Sequence, residues 1–411
     1  MYTVYIKNGS SKEVCIYDPA SPAEELRLIS PKLTLEDNSA GSFETTIAKS
    51  NAGFDIINRL SSDVIVRKKE GSSEVTVWTG RIISETNDFY GSRRIECEGA
   101  LSFLNDTYQP QKKYLINKKG VTGANVIKDF LGKLLDIHNG KSQTNHKIYL
   151  GEVTVKDKDQ YLYRYTNFDT TLNCIKEKLL DRLGGHIVIR YENGRTYLDY
   201  LSDFHKEDSS LPSIEFGRNL LDFTKNWDMS YFASAILPLG KRIEKESDES
   251  ESNENKDTDE TGVEKSKLGT DDDDITVLEE YVTVKDVNNG DLYVKADKKV
   301  INTYGLIEAK VVWDNISKPS TLLAKAKKYL KDLQFDSMYM EVSAFDLSEL
   351  NADYKRIKML DRVRVYSAPH GLERLFPVTK MEIPLDDPSG IVFGMGVQVS
   401  QPLTGLINNS K

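Results

Sequence analysis

The sequence predicts a mainly β protein with α+β insertions. Over about the first hundred residues, short runs of β-type residues are interrupted roughly every ten positions by Gly, Asn, Asp, Ser or Pro. That cadence is typical of a β-sandwich or barrel. Helical patterns follow in the middle of the chain, and strand-like runs return from about Asp361. With 411 residues, the chain is long enough for about two to four domains.

The strands near the amino end follow from alternation of apolar and polar residues. "KLTLE" places Leu33 and Leu35 on one face, and "SFETTIA" places Phe43 and Ile47 together on one face of the next strand. Between them, "DNSAG" predicts a turn in which Gly41 supplies a positive φ. In "RRIECEG", the alternation predicts that Cys97 is a core residue.

The middle of the chain alternates between helical and strand-like patterns. "VTGANVIKDFLGKLLDIHN" predicts a helix with a Thr122 cap. "FDTTLNCIKEKLLDRLGG" predicts a second helix that stops at Gly184 and Gly185. "KPSTLLAKAKKYLKDLQ" predicts a third helix. Between the second and third helices, the Asn193-Gly194 pair predicts a tight hairpin in "HIVIRYENGRTYLDY". The apolar helix positions are Val126, Phe130, Leu134 and Ile137, then Leu172, Ile175, Leu179 and Leu183, then Leu322, Ala326, Tyr329, Leu330 and Leu333.

A strongly polar segment extends from about Glu244 to Asp274 and contains very few apolar residues. Because such a segment buries too little surface to offset its ordering entropy, the sequence predicts a flexible acidic loop. A calcium site within Asp271 to Asp274 is disfavoured, since the run lacks the spaced Asp and Gly ligands of a calcium loop.

Composition excludes several classes of function. The formal charge of −9 argues against sequence-independent DNA binding through a broad basic surface. No apolar run reaches the roughly 18 residues of a membrane helix, so no stable membrane insertion is expected. The amino terminus lacks a secretory signal pattern, which predicts assembly in a cytoplasm. The three cysteines are widely separated, and we expect all of them to be reduced.

The search for catalytic chemistry predicts no catalytic, cofactor-binding or metal-binding residue. Ser42 follows Gly41, but it begins an alternating strand and is interpreted as a strand residue rather than a nucleophile. An alternative is that Cys174 and His186 form the catalytic pair of a thiol peptidase. The predicted position of Cys174 in the middle of a helix disfavours this alternative. The five histidines show no close pair at metal-ligand spacing, and we expect surface or helix-end positions for them. They are His138, His146, His186, His205 and His370.

Two short stretches near opposite ends of the chain have similar sequences, and this similarity is called the echo below. "LEDNSAGSF" begins at Leu35 and "LDDPSGIVF" begins at Leu385. Each carries a leucine, acidic residues, a turn and then a strand with an aromatic residue. Since turns draw on few residue types, the echo alone is weak, but it is what two related β units would show.

Five stretches resemble the phage tail family called prophage tail endopeptidase, or tail-associated lysin. The resemblance extends from about Leu33 to Gly396, nearly the whole chain. The stretches are "DNSAGSFETTIAKSN", "WTGRIISETNDFYGSRRIECEGALSFLNDTYQP", "NLLDFTKNWDMSYFASAILPLG", "DVNNGDLYV" and "SAPHGLERLFPVTKMEIPLDDPSG".

The resemblance implies a phage baseplate hub-like fold with two related antiparallel β-barrel domains and two mixed α/β domains. The second barrel is expected to be discontinuous, and the acidic loop is expected within the inserted domain. The expected ranges are 1–106 for the first barrel, 107–215 for a mixed α/β domain, 216–240 with 361–399 for the second barrel, 241–360 for the inserted α/β domain and 400–411 for a carboxy-terminal tail.

The resemblance also implies a structural hub at the tail tip or baseplate of a phage or a tail-like bacteriocin. Its expected form is a homotrimer whose six barrels give pseudo-six-fold symmetry. Expected partners are distal tail or tail tube ring proteins, the tape measure protein, and spike or fibre proteins, with DNA only as passing cargo. The alternative is a tail-associated peptidoglycan endopeptidase. In this family that activity commonly resides in an additional carboxy-terminal domain, whereas only "SQPLTGLINNSK" follows the last predicted strand, so the sequence favours the structural hypothesis.

Overall fold

The computed structural model divides into two compact units, Met1–Tyr231 with Phe335–Lys411, and Phe232–Gln334. Thr122 and the segment from Glu244 to Asp274 lie outside the described residues. The described residues are 1–71, 73–116, 123–156, 162–208, 210–227, 232–243, 280–314, 316–335, 338–350 and 354–396.

Seven strands of the larger unit form an antiparallel β unit at the amino end of the chain. Their spatial order is β2-β1-β5-β6-β7-β4-β3. The strands are β1 (Tyr2–Asn8), β2 (Val14–Tyr17), β3 (Ile29–Glu36), β4 (Ser42–Ile47), β5 (Ser62–Glu70), β6 (Ser73–Asn87) and β7 (Arg93–Gly99). The predicted alternation is confirmed, since Leu33, Phe43, Ile47 and Cys97 are buried and Gly41 has a φ of 68°.

A mixed α/β lobe follows. Its elements are β8 (Lys112–Ile116), α1 (Gly123–Lys141), β9 (Ile148–Val153), β10 (Leu162–Thr166), α2 (Thr171–Ile175), α3 (Asp181–Leu183), β11 (His186–Glu192) and β12 (Arg195–Leu201). The predicted hairpin is confirmed, because β11 and β12 pair around Asn193 and Gly194, which have φ values of 50° and 70°. The second predicted helix contains a π-helical segment, Lys176–Leu180, between α2 and α3. Residue spacing did not predict that segment.

The chain then starts a second β unit and leaves it for the smaller compact unit. The strands that start it are β13 (Ile214–Glu215) and β14 (Leu220–Trp227). The smaller unit contains β15 (Ala235–Leu239), β16 (Arg242–Ile243), β17 (Glu280–Tyr281), β18 (Val294–Lys295), α4 (Lys298–Tyr304), β19 (Glu308–Val312) and α5 (Pro319–Phe335). The third predicted helix is α5, and it buries Leu322, Ala326 and Leu330.

Four later strands complete the second β unit. They are β20 (Met338–Ala344), β21 (Arg362–Ser367), β22 (Leu372–Pro384) and β23 (Val392–Met395). The spatial order is β13-β21-β22-β23-β20-β14. The fold is therefore mainly β with α+β insertions, as predicted. β20 pairs within this sheet although it lies inside the range 241–360, which the sequence assigns to the inserted domain.

The two β units are joined through their backbones. β22 pairs with β3 in antiparallel register, from Lys380 opposite Glu36 to Pro384 opposite Lys32. Among the described residues, thirteen strands thereby belong to one continuous sheet. Side chains of both units also share one hydrophobic core, which includes Leu33, Phe43, Met381, Ile383 and Phe393. Among the described residues, the two β units therefore share a single core.

A buried ion cluster ties the two β units together at a second point. Lys68 on β5 is 1% exposed, and its Nζ lies 3.0 Å from Asp346 Oδ2 and 2.8 Å from Glu349 Oε1. Burial alone would raise the pKa of Glu349, but the ammonium groups of Lys68 and of the amino terminus of Met1 lower it below its ordinary value. The cluster holds β5 against the segment that follows β20.

Replacing Lys68 should destabilise the protein far more than replacing an exposed partner of an ion pair. We expect Lys68→Ala to lower the free energy of unfolding by about 3–5 kcal/mol, because Asp346 stays buried without its cation and Glu349 keeps only the amino-terminal ammonium of Met1. Arg94→Ala is the control, since Arg94 and its partner Glu44 are 59% and 42% exposed, and its cost should stay below about 1 kcal/mol. Denaturant unfolding measures both, and equal losses would show that the buried cluster is not a special constraint.

Candidate assembly interface

Five strands of each β unit share one connectivity. In the first unit, these strands are β3 to β7, and they lie in the spatial order β5-β6-β7-β4-β3. In the second unit, they are β14 and β20 to β23, and they lie in the spatial order β21-β22-β23-β20-β14. When the five strands of each unit are numbered along the chain, both orders read third, fourth, fifth, second, first, and every neighbouring pair is antiparallel. Accordingly β6 corresponds to β22, and β14 corresponds to β3. The correspondence stops there, because β1 pairs antiparallel with β5 whereas β13 pairs parallel with β21.

A β-bulge occurs at the same place in both units. Ile83 is the extra residue of β6 where that strand pairs with β7. Thr379 is the extra residue of β22 where that strand pairs with β23. Since a bulge is a localised feature of strand pairing, the two bulges align the β units with single-residue precision.

An unusual backbone conformation recurs beside each bulge. Leu60 and Leu360 have φ values of 61° and 67°, a region that bulky residues seldom adopt. The Leu60 N–H donates to the carbonyl of Ile82 at 3.1 Å, and the Leu360 N–H donates to the carbonyl of Val378 at 2.9 Å. Strand order, bulge and backbone strain together show that the two units repeat one design.

The repeat corrects the alignment that the sequence echo indicated. The stretch from Leu35 lies at the turn between β3 and β4, whereas the stretch from Leu385 lies at the turn between β22 and β23. Because β22 corresponds to β6, its turn corresponds to the turn after β6 and not to the turn after β3. The echo arose because both turns draw on the same few residue types.

The junction between the units joins non-equivalent surfaces. The first unit contributes β3, whose counterpart in the second unit is β14. The second unit contributes β22, whose counterpart in the first unit is β6. A contact between different surfaces is heterologous and leaves each partner with one unused surface. Along the described part of the chain, β14 ends the strand order, and β6 beyond Arg81 pairs only with β7.

The candidate catalytic residues lie in structural positions. Ser42 is the first residue of β4 and pairs with Thr34 and Glu98 in the sheet. Cys174 is fully buried in the core of the α/β lobe, and burial raises the pKa of its thiol to about 12. A thiol that keeps its proton is a poor nucleophile. His186 Nδ1 lies 2.6 Å from Asp37 Oδ2, and none of the hydrogen bonds of the described residues joins His186 to Cys174.

Three histidines of the lobe contact aspartates near the two β units. The shared geometry is a ring nitrogen within hydrogen-bond distance of a carboxylate oxygen, and these contacts attach the lobe to the sheet. The pairs are His146 with Asp63 at 2.9 Å, His186 with Asp37 at 2.6 Å, and His205 with Asp361 at 2.8 Å. Among the residues that the structure describes, no cluster of three His, Cys, Asp or Glu side chains could hold a metal.

A cleft of about 360 Å³ separates β11 from the sheet. Leu35, Trp78 and Ile189 line it, together with the guanidinium of Arg190. That guanidinium is already engaged, since its Nε donates to Asp199 Oδ2 at 2.8 Å. Arg190, one of several charged residues that line the cleft, is therefore part of a structural ion pair.

Two histidines in the lobe have shifted pKa values of opposite sign. Burial lowers the pKa of His138, which is fully enclosed and hydrogen-bonded through Nδ1 to Thr107 at 2.8 Å. The carboxylate of Asp361 raises the pKa of His205. The expected surface or helix-end positions describe His138 and His146 only in part. Both lie in the last turn of a helical segment, but both side chains are buried.

The described helices include none that is long and apolar enough to cross a membrane. Residues 208–396 match the family described as prophage endopeptidase tail. No curated protein matches the chain.

Three crystal structures share the fold over nearly the whole chain. The prophage tail protein gp18 of Listeria monocytogenes EGD-e is 11% identical with a TM-score of 0.54, covering 98% of this chain and 97% of its own. The 43 kDa tail protein of prophage MuSo2 from Shewanella oneidensis is 11% identical with a TM-score of 0.56, covering 97% and 98%. The tail protein of Neisseria meningitidis MC58 is 15% identical with a TM-score of 0.55, covering 98% of both chains. At these identities, the likeness concerns the fold.

The fold over nearly the whole chain is that of phage tail proteins. The match to the prophage endopeptidase tail family extends from just before β13 to the end of β23 and supports the predicted resemblance to phage tail proteins.

The two shifted histidines should give stability changes of opposite sign with pH. The folded-state pKa of His138 is depressed, so its contribution is present above pH 6.5, the ordinary value, and is lost as the pH falls through the folded pKa. The folded-state pKa of His205 is raised, so its contribution is present below pH 6.5 and is lost as the pH rises through the folded pKa.

Unfolding curves of His138→Gln and His205→Gln between about pH 5 and pH 8 test these signs. Relative to wild type, His138→Gln should lose stability mainly at the alkaline end, and His205→Gln mainly at the acidic end. Parallel pH profiles for all three proteins would contradict the assignment.

Proposed function

We propose that this phage tail protein is the structural hub of a tail tip or baseplate, in a phage or a phage-tail-like particle. The observation that carries the proposal is the pair of β units with one connectivity in one chain. Three chains would supply six such units, so a trimer could face a six-fold tail tube on one side and a three-fold tip on the other. The heterologous junction between β3 and β22 supports a ring, since contacts of that kind propagate around an axis.

The proposed partners follow from this position. Ring proteins of the distal tail or tube would stack on one face, the tape measure protein would end at the hub, and a spike or fibre would attach below. The formal charge of −9 per chain supports a channel through which DNA passes without being held, because acidic walls repel phosphates. Assembly would take place in the cytoplasm of the bacterial host.

A structural function is favoured over peptidoglycan cleavage by the environment of the candidate nucleophiles. Cys174 is buried with a raised thiol pKa, and Ser42 is engaged in strand pairing. Each position is explained by the sheet or by a core. Cys174 lacks the exposure that a reactive thiol requires, and Ser42, although exposed, has no hydrogen-bonded base among the described residues.

The proposal predicts three copies of the chain in each assembled tail, on the tail axis. Quantitative mass spectrometry of purified particles, or a reconstruction of the tail tip, measures the copy number. Six copies, or one copy away from the axis, would overturn the hub assignment.

The enzymatic alternative has its own test. Purified chain incubated with peptidoglycan should release no muropeptides above the level of a heat-denatured sample. Release that Ser42→Ala or Cys174→Ala abolishes, while circular dichroism of the variant stays unchanged, would favour the endopeptidase.

A further inference from the structure

We infer that β14 of one copy pairs antiparallel with the distal half of β6 in a second copy of this chain, repeating between chains the contact that β3 and β22 make within one. The inference rests on the proposed ring and names the strands that build it. It follows from the repeat, because β14 and β6 are the counterparts of β3 and β22 and have no such partner along the described chain.

The contact within the chain sets the register between chains. Leu33 of β3 lies opposite Ile383 of β22. Counting from the bulge residues Ile83 and Thr379, Asn87 of β6 corresponds to Ile383, since each lies four positions further along its strand.

The same counting across the sheet places the partner on β14. In the first unit, Leu33 of β3 pairs with Phe43 of β4, and Phe43 pairs with Cys97 of β7, which lies just before the bulge. In the second unit, Lys225 of β14 pairs with Met340 of β20, and Met340 pairs with Met395 of β23, which lies at the matching place. The repeat therefore places Asn87 of one copy opposite Lys225 of the next.

Burial at the corresponding turns supports this contact independently of register. After β22, Leu385 and Ile391 are 3% and 1% exposed, and the Leu385 N–H donates to the carbonyl of Pro31 in the first unit at 2.8 Å. After β6, Phe89 and Tyr90 are 96% and 84% exposed, with their rings edge to face. Two adjacent aromatic side chains in water are an unusual feature of a free surface and a common one of protein interfaces.

The two open edges carry features that would keep single chains apart. Asp222 and Thr224 on β14 and Thr86 and Asn87 on β6 are exposed, whereas Leu33 and Ile383 are buried in the contact within the chain. Polar edge strands resist random strand pairing. Specific assembly then depends on register and on the aromatic turn, which only the correct partner covers.

Disulfide cross-linking tests the register. Residues directly opposite in an antiparallel pair have Cα atoms about 4.5–5.5 Å apart, within the range that a disulfide spans. The test protein is the full chain with Asn87→Cys, Lys225→Cys and Cys15→Ser, because Cys97 and Cys174 are buried. Oxidation of assembled tails that contain it should yield covalent dimers and trimers on denaturing gels.

The matched control combines Asn87→Cys with Thr224→Cys, since a shift of one residue turns the second thiol to the other face of the sheet. We expect at least tenfold less cross-linked product from the control. Equal yields, or no product from the test pair in tails that contain the protein, would overturn the strand contact. A disulfide confined to single chains would also overturn it.

The aromatic turn gives a second test without added cysteines. Phe89→Ser with Tyr90→Ser should reduce incorporation into tails at least tenfold, whereas Tyr108→Ser, which removes another exposed aromatic residue (59%), should not. Unchanged incorporation of the double variant would contradict burial of this turn between copies.

These outcomes separate the contact from the proposed function. Three copies per tail without the predicted cross-link would leave the hub intact and refute the strand pairing. Cross-linked chains in particles with another copy number would support the pairing and refute the trimeric hub.

Discussion

The backbone pairing of β22 with β3 is the constraint on which the rest of the structure depends. It brings together segments that are more than three hundred residues apart and converts two β units into one sheet with one core. The hydrogen-bonded pairing of β22 with β3 fixes the position of one β unit relative to the other. The other contacts between the units need only be compatible with that relative position. The Lys68 cluster meets this condition, since its buried cation faces carboxylates of the other unit.

The α/β lobe is attached to this sheet by polar contacts rather than by a shared core. Its apolar residues form a separate cluster, and His146, His186 and His205 reach aspartates near the sheet. Of these three contacts, that of His205 depends on protonation, since the carboxylate of Asp361 raises the pKa of the imidazole. The junction of the β units relies instead on backbone hydrogen bonds and apolar burial.

The repeat is preserved in backbone geometry and has been lost from the residues. Leu33 corresponds to Lys225 and Ile383 to Asn87, so positions that are apolar inside the chain are polar at the open edges. The bulges at Ile83 and Thr379 are retained, because they determine where the sheet bends. Residue identity at these positions follows whether they are buried within the single chain, so the two halves cannot be aligned from their residues.

The sequence by itself determined the mainly β class, the three helices, the hairpin at Asn193 and the burial of Cys97, since each depends on local periodicity or turn chemistry. It also carried the family resemblance. Only the tertiary structure decided which strands correspond, that β20 belongs to the second β unit, and that Lys68 and His138 are buried. Strand order and the burial of polar side chains are set by residues distant in sequence, and local patterns contain no information about such partners.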